Sequence, residues 1–261
     1  MLRHSIVDTL AASRSGHVGA AFSLVEILRV LYDDVLRLRP EDPRWPERDR
    51  CILSKGHGCL ALYVLLADKG FFPKSELMKF ARADGILGGH PEYGRVPGVE
   101  ASTGSLGHGL SIGVGLAIAA RLRRSPFRVF VVVGDGESNE GSVWEAALAA
   151  SKHRLGSLTV VVDCNGQQSY DATDRVLPLE PYAAKWAAFG FASVEVDGHD
   201  VHALRATFAR LPFENERPSA VICHTVKGRG TAVTDRNLTW HHKSRITDEQ
   251  IDALRRGIEA G

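Results

Sequence analysis

The chain predicts an α/β protein with a doubly wound, mostly parallel sheet, on three observations. Residues 128–133 (RVFVVV) and 158–163 (LTVVVD) are continuous β-branched runs, the pattern of strands buried on both faces of a parallel sheet. Helical spacing over 142–153 separates them, so strand, helix and strand close within about 35 residues as a βαβ unit. The alternation then continues almost to the end of the chain. Helices are expected over 182–189 and 202–211, strands over 192–196 and 220–225, and a last helix over 246–258 with Thr247 as N-cap. Helices on both faces of one sheet satisfy this order economically.

The first half reads as helical. Leu24, Ile27, Leu28, Leu31 and Val35 recur at helical spacing, predicting a helix over 24–36, with Ser23 and Glu26 spaced as a capping box. Segments 58–69 and 106–122 also read as helices, the second rich in Gly and Ala as a closely packed helix would be. Residues 226–245 carry glycines and charges without periodicity, which predicts a long loop of the kind that covers binding sites. No repeat or linker divides residues 1–261, so a single domain is expected.

Composition excludes several function classes. Hydrophobic residues are 44% and charged residues 24%, the balance of a globular protein. Lys+Arg 32 against Asp+Glu 31 gives a net charge of +1, which offers no electrostatic footprint for nucleic acid or an anionic membrane. The four cysteines (Cys51, Cys59, Cys164, Cys223) form no CxxC pair, so neither a disulfide scaffold nor a zinc clip is expected, and Cys51 and Cys223 read as small buried hydrophobes. Apolar stretches such as 129–133 fall far short of the ~20 residues that span a bilayer, and Met-Leu-Arg-His-Ser lacks the apolar stretch of a signal peptide. A cytoplasmic protein is expected.

Glycine is abundant, 26 of 261 residues, and its placement is unusual. Five of the eleven histidines follow a glycine directly (His17, His57, His90, His108, His199), where about one would be expected at this frequency. Such a step sets a titratable ring beside backbone that can approach a ligand closely. His199 alone reads better as a histidine of a tight turn, and His153, His202 and His224 as structural or solvated residues. Trp144 and Trp186 read as core or interface.

Ligands of open α/β sheets bind beyond the carboxyl ends of the strands. The first buried run ends in Gly134-Asp135-Gly136, the second in Asp163-Cys164-Asn165-Gly166. Flanking glycines let backbone approach an anion, while Asp135 and Asn165 supply oxygen donors on adjacent strand ends. That donor set suits Mg²⁺, with Ca²⁺ as substitute, bridging a carboxylate to ligand phosphates. A bare GDG arises by chance about once in eight such chains. With a buried strand before it and a gap of 28 residues between Gly136 and Asn165, the constellation is specific.

GDG followed at this distance by Asn is similar to the thiamine diphosphate motif, and the chain resembles the N-terminal, diphosphate-binding domain of transketolases. The matching stretches run in order from Ser15-Gly16-His17 through Ser54-Lys55-Gly56-His57-Gly58, Gly89-His90-Pro91-Glu92, Thr103-Gly104-Ser105-Leu106-Gly107, Gly134-Asp135-Gly136 with Glu140-Gly141, and Asp163-Cys164-Asn165, to Trp240-His241. The resemblance implies that Asp135, Asn165 and the Gln167 carbonyl ligate Mg²⁺. It implies that His57, Gly104, Ser105, Leu106, Gly134, Gly136, Glu140 and His241 belong to the thiamine diphosphate site. His17, His90 and His241 would face the sugar and the reacting centre as catalytic residues. His90 would touch the donor's terminal hydroxymethyl. Glu140 and Glu145 match acidic positions toward a subunit interface.

The chain departs from the family pattern at Val18, Ser105, His108, Asn139 and Cys164, which implies a divergent pocket without loss of a metal ligand or principal histidine. Full transketolases continue into a second α/β domain, which supplies the activating glutamate and most donor-phosphate anchors, and a C-terminal domain. The resemblance therefore implies the first subunit of a split transketolase, paired with a C-terminal subunit in a heterotetramer, and transferring two-carbon ketol units between sugars. A thiamine-dependent 2-oxo-acid decarboxylase or dehydrogenase component is the alternative enzyme, disfavoured by His17 and His90. A non-catalytic partner that keeps the fold is the third reading, disfavoured by the intact Asp135, Asn165 and histidines. Lys227-Gly228-Arg229-Gly230 reads as a loop over phosphate rather than a nucleic-acid segment.

Overall fold

The computed structural model describes residues 2–260. Five strands, β1 (Arg50–Leu53), β2 (Val129–Gly134), β3 (Leu158–Cys164), β4 (Ala192–Asp197) and β5 (Ser219–His224), form one sheet in the order β1-β2-β3-β5-β4. Every pairing is parallel. Alternate residues of each strand feed opposite cores. Phe130 and Val132 of β2 pack into one, Val129, Val131 and Val133 into the other. This is the doubly wound arrangement that the β-branched runs predict, and β2 is buried along its whole length. Of the two edge strands, β4 is partly exposed, whereas β1 is buried at three of its four residues.

The first core is covered by α1 (Leu2–Ser13), α2 (Val18–Phe22), α3 (Val25–Val30) and α4 (Cys59–Asp68), the last buried at nine of its ten residues. The second is covered by α5 (Gly109–Leu122) and α6 (Gly141–Lys152), followed after the short α7 (Thr173–Val176) by α8 (Tyr182–Ala188), which buries Trp186 completely. Returning to the first face, α9 (Val201–Phe208) and α10 (Asp248–Glu259) close the chain. Thr247 caps α10 through a full capping box with Gln250. Residues 226–245 are irregular apart from a 3₁₀ turn at Leu238–Trp240. Among the described residues no helix is long and apolar enough to cross a membrane.

Four expectations are corrected. The segment expected as one helix over 24–36 is α3 followed by a π turn at Leu31–Val35, and helix α5 begins only at Gly109, leaving residues 104–107 free to line the site. Ser23 and Glu26 form no capping box, since α3 has no side-chain cap. The Ser23 hydroxyl instead donates to the buried Asp163 carboxylate at 2.6 Å, a charge-assisted bond that outweighs a neutral cap. Strand β1 and helix α1 were absent from the sequence expectation. The four residues Arg-Cys-Ile-Leu are too short for periodicity, and only pairing with β2 makes them a strand.

Candidate functional site

The site forms where β2 and β3 end side by side. Gly134 and Asp163 are register partners, and the Asp135 amide donates to the Asp163 carbonyl at 3.2 Å. The chain then turns sharply. Asp135 Oδ1 accepts from the Gly136 amide at 2.8 Å and Oδ2 from the Gly166 amide at 2.7 Å, tying the two strand ends together. Beyond them lies a cavity of about 220 Å³, lined by His57, Leu106, Gly134, Asp135, Gly136, Asn165, Gln167 and His241 among the expected residues. Ala20, Lys55, Glu137, Gln168 and Lys227 complete much of its wall.

Charge is concentrated beneath and beside this cavity. Asp163 is fully buried and accepts from Lys55, Ser23 and Thr225. Burial by itself would raise its carboxyl, but the Lys55 charge and these donors hold it below the usual carboxylate range. Asp135 has no cation in salt-bridge contact among the described residues. Burial and then the Asp163 charge push its carboxyl up to about 6. Lys227 donates to the carbonyls of Gln167 at 3.3 Å and Gln168 at 2.9 Å, and burial together with the Lys55 charge pushes its ammonium down to about 8. Glu137 is a scaffold: its carboxylate receives the Gly107 and Gly134 amides at 3.0 and 3.1 Å, and the Ser54 hydroxyl.

Five imidazoles line the approach to this floor. His17 lies 4.8 Å from His57, 6.0 Å from His90, 5.6 Å from His241 and 4.5 Å from His242, ring centroid to centroid. His57 lies 5.0 Å from His90 and 6.2 Å from His241. Desolvation, then mutual repulsion, pushes His17 down to about 3 and His57 to about 4; His241 also falls to about 4, by desolvation and then the Lys227 charge. His90 is lowered by burial and then by His242. These four rings are neutral at pH 7, able to accept a proton at one nitrogen and donate from the other.

Glycine is required at one point of this ring. Gly104 has φ +132°, and a Cβ there would meet His90 Cδ2 at 2.7 Å, so the backbone of the Thr103–Leu106 turn rests against the imidazole. Among the residues the resemblance assigns to the cofactor, Gly104, Ser105 and Glu140 lie outside the cavity lining, and Ser105 and Glu140 are exposed. Glu145 is also exposed on α6. Lys55 lies in a stretch that carries the resemblance and Lys227 in the loop read as covering phosphate, whereas Glu137, Gln168 and His242 carry no expected site role. Each of these three directly follows a residue with an implied role (Gly136, Gln167 and His241), and that adjacency is the local signal for them.

The residues fit a metal-bridged diphosphate. Two buried lysines crowd each other, a buried carboxylate is driven toward protonation, and Gln167 Oε1, Gln168 Nε2, His90 Nε2 and His241 Nδ1 are buried without partners among the described residues. A divalent cation beside Asp135 and an anion between the lysines would relieve each of these costs.

A family model described as the thiamine diphosphate binding domain of transketolase matches residues 1–259. An apulose-4-phosphate transketolase subunit of Phocaeicola vulgatus is 37% identical over 253 residues, covering 97% of this chain and 90% of that protein. The 6-deoxy-6-sulfo-D-fructose transketolase subunit SqwG of a Clostridium species is also 37% identical over 253 residues, covering 97% of this chain and 92% of that protein. The transketolase of Pichia stipitis, solved in complex with sedoheptulose-7-phosphate, superposes with a TM-score of 0.92 at 31% identity, over 99% of this chain and 40% of that one. The cavity between the β2 and β3 ends, its glycine turns and its histidines thus stand in a chain that belongs to the transketolase family, as its thiamine diphosphate binding domain.

Proposed function

We propose that this chain is the diphosphate-binding half of a two-subunit transketolase, moving a two-carbon ketol unit from a ketose to an aldehyde with thiamine diphosphate and Mg²⁺. One observation carries the reading: a buried carboxylate without a cation in contact among the described residues, two crowded lysines and the His57 and His241 imidazoles line one cavity, with the His17 ring packed against both. Asp135, Asn165 and the Gln167 carbonyl hold the Mg²⁺, and Ca²⁺ can replace it with the same oxygen ligands. Gly104, Leu106, Gly134, Gly136, His57 and Lys227 hold the cofactor. When bound, thiamine diphosphate supplies the electron sink that cleavage of a ketose carbon–carbon bond requires.

The chain's own residues handle protons and orientation. His17 and His241, neutral at pH 7, take the proton from the donor hydroxyl whose carbon–oxygen double bond forms on cleavage, and return it to the acceptor. His90 holds the donor's terminal hydroxymethyl, with Gly104 fixing its ring. This contact favours a ketose over a 2-oxo acid. The two split relatives are named for ketoses that carry a phosphate or a sulfonate, so a ketose with an anionic terminus is the proposed substrate class.

The described residues act as one diphosphate-binding domain with 226–245 covering the site. The partner is a C-terminal subunit with pyrimidine-binding and C-terminal domains, in a heterotetramer. A cytoplasmic setting accords with four free cysteines. The test is reconstitution. Ketose cleavage should appear only when the partner chain, thiamine diphosphate and Mg²⁺ are combined. Robust turnover by this chain alone, or CO₂ release from pyruvate in place of ketose cleavage, overturns the reading.

A further inference from the structure

Lys227 belongs to a loop without regular structure, yet its ammonium is buried in the cavity wall. What holds it lies on the far side of the loop. Glu26 of α3 receives Arg3 of α1 in a fork, Nη1 to Oε1 at 2.6 Å and Nη2 to Oε2 at 3.0 Å. The same Oε2 is 2.9 Å from Nδ1 of His199, in the turn after β4. His199 Nε2 accepts from the Val226 amide at 2.9 Å, so Nδ1 carries the ring proton and donates to Glu26. Arg3 Nε donates to the Arg229 carbonyl at 2.7 Å. One carboxylate therefore organises two side chains that grip the loop on either side of Lys227, one residue before it and two residues after.

Arg3, Glu26, His199, Arg229 and Gly230 border a cavity of about 660 Å³ beside the loop. The bonds from Arg3 and to His199, with that of the Gly228 amide to the Gly19 carbonyl of α2 at 3.0 Å, tie the loop backbone to its neighbours. His199 is a turn residue, as its sequence suggests, because its amide bonds Asp197 at 2.8 Å, but its ring spans from that turn to the site loop.

We infer that Glu26, acting through Arg3 and His199, is a positioning residue of the cofactor site: it clamps residues 226–229 and so holds the Lys227 ammonium over the Gln167 and Gln168 carbonyls. The inference rests on the proposed reading of the cavity as a diphosphate site.

Hydrogen exchange and calorimetry on the full chain with its partner subunit test both parts. In the absence of cofactor, His199→Phe and Glu26→Gln should each speed amide exchange over 226–230 by about tenfold, with exchange in β2 and β3 unchanged. His199→Gln, whose amide can still accept from Val226, should restore most of the protection. Titration with thiamine diphosphate and Mg²⁺ should show about tenfold weaker binding in His199→Phe, and no further loss when it is combined with Lys227→Met. Unchanged exchange over 226–230, or additive losses in the double variant, overturns the clamp. Unchanged thiamine diphosphate affinity in Lys227→Met alone overturns instead the diphosphate reading of Lys227, whatever the exchange shows.

Discussion

The rings of His17 and His242 stand 4.5 Å apart and tilted by 46°, although 224 residues separate them. The pair is held by backbone: the Gly16 amide bonds the Lys243 carbonyl at 2.9 Å and the Lys243 amide bonds the Gly16 carbonyl at 3.1 Å. After desolvation and His57, His242 is the next cause of the depressed His17 pKa. In His242→Ala the protonation of His17 should therefore move to higher pH, followed by NMR of the imidazole carbons. A His17 titration that does not move would show that the two rings are electrostatically independent.

Acid stability follows from the same ring cluster. His17, His57 and His241 protonate at about 3 to 4 in the fold and at the ordinary 6.5 when unfolded, so the unfolded chain binds more protons between these values. Their contribution is complete above pH 6.5 and is lost as pH falls toward 3 to 4. Denaturant midpoints measured from pH 7 to 4 should drop, and His17→Asn should flatten the drop. An unchanged slope in His17→Asn would count against the cluster as its cause.

Lys55 is the counterion of a carboxylate with no exposure to water. Lys55→Met should cost about 3–5 kcal/mol, the usual penalty for stranding one member of a buried pair. Combining it with Asp163→Asn, which removes the stranded charge, should recover a good part of that loss. Urea unfolding of the three variants gives the comparison.

Asp135→Asn keeps the shape of the side chain and removes its charge. The folded carboxyl titrates at about 6, above its ordinary 3.8, so the fold retains a proton the unfolded chain releases, and stability of the metal-free chain falls as pH rises through that window. The Asn variant should lose this pH dependence, although its Nδ2 cannot accept from a backbone amide and so gives up one of the two bonds that tie the strand ends. Its Mg²⁺-dependent uptake of thiamine diphosphate should fall by more than the roughly 10–100-fold that loss of an outer-shell partner costs. Retained metal-dependent uptake would remove Asp135 from the cation site.

Gly104→Ala places a Cβ against His90 in a backbone region that L residues rarely adopt. A stability loss of about 1–3 kcal/mol is expected, with a displaced His90 ring and reduced ketose turnover in the assembled enzyme. Thermal melts and His90 chemical shifts report the two effects separately.

Much of this molecule was legible in one dimension because its signals are local. The runs ending at Val133 and Asp163 are buried on both faces, so every position is apolar and the strands announce themselves. The GDG turn and Asn165 follow those strands directly, which places both at the sheet's carboxyl edge once the strands pair. Three of the converging histidines, His17, His57 and His90, lie in Gly-His steps, and His241 joins them.

Residues whose roles depend on distant partners were not legible. Ser23 and Glu26 carry the spacing of a capping box, yet each is claimed by a charge elsewhere: Ser23 by Asp163, Glu26 by Arg3 and His199. Strand β1 exists through its pairing with β2, and Lys227 reaches the cavity through a loop gripped from two other elements. The amino-acid order alone determined four of the sheet's five strands, their parallel sense and the oxygen donors at its edge, since hydrophobic period and turn chemistry act over neighbouring residues. Tertiary structure decided which charges became partners, because a buried charge takes the donor that folding brings nearest, and that distance is not a distance along the chain.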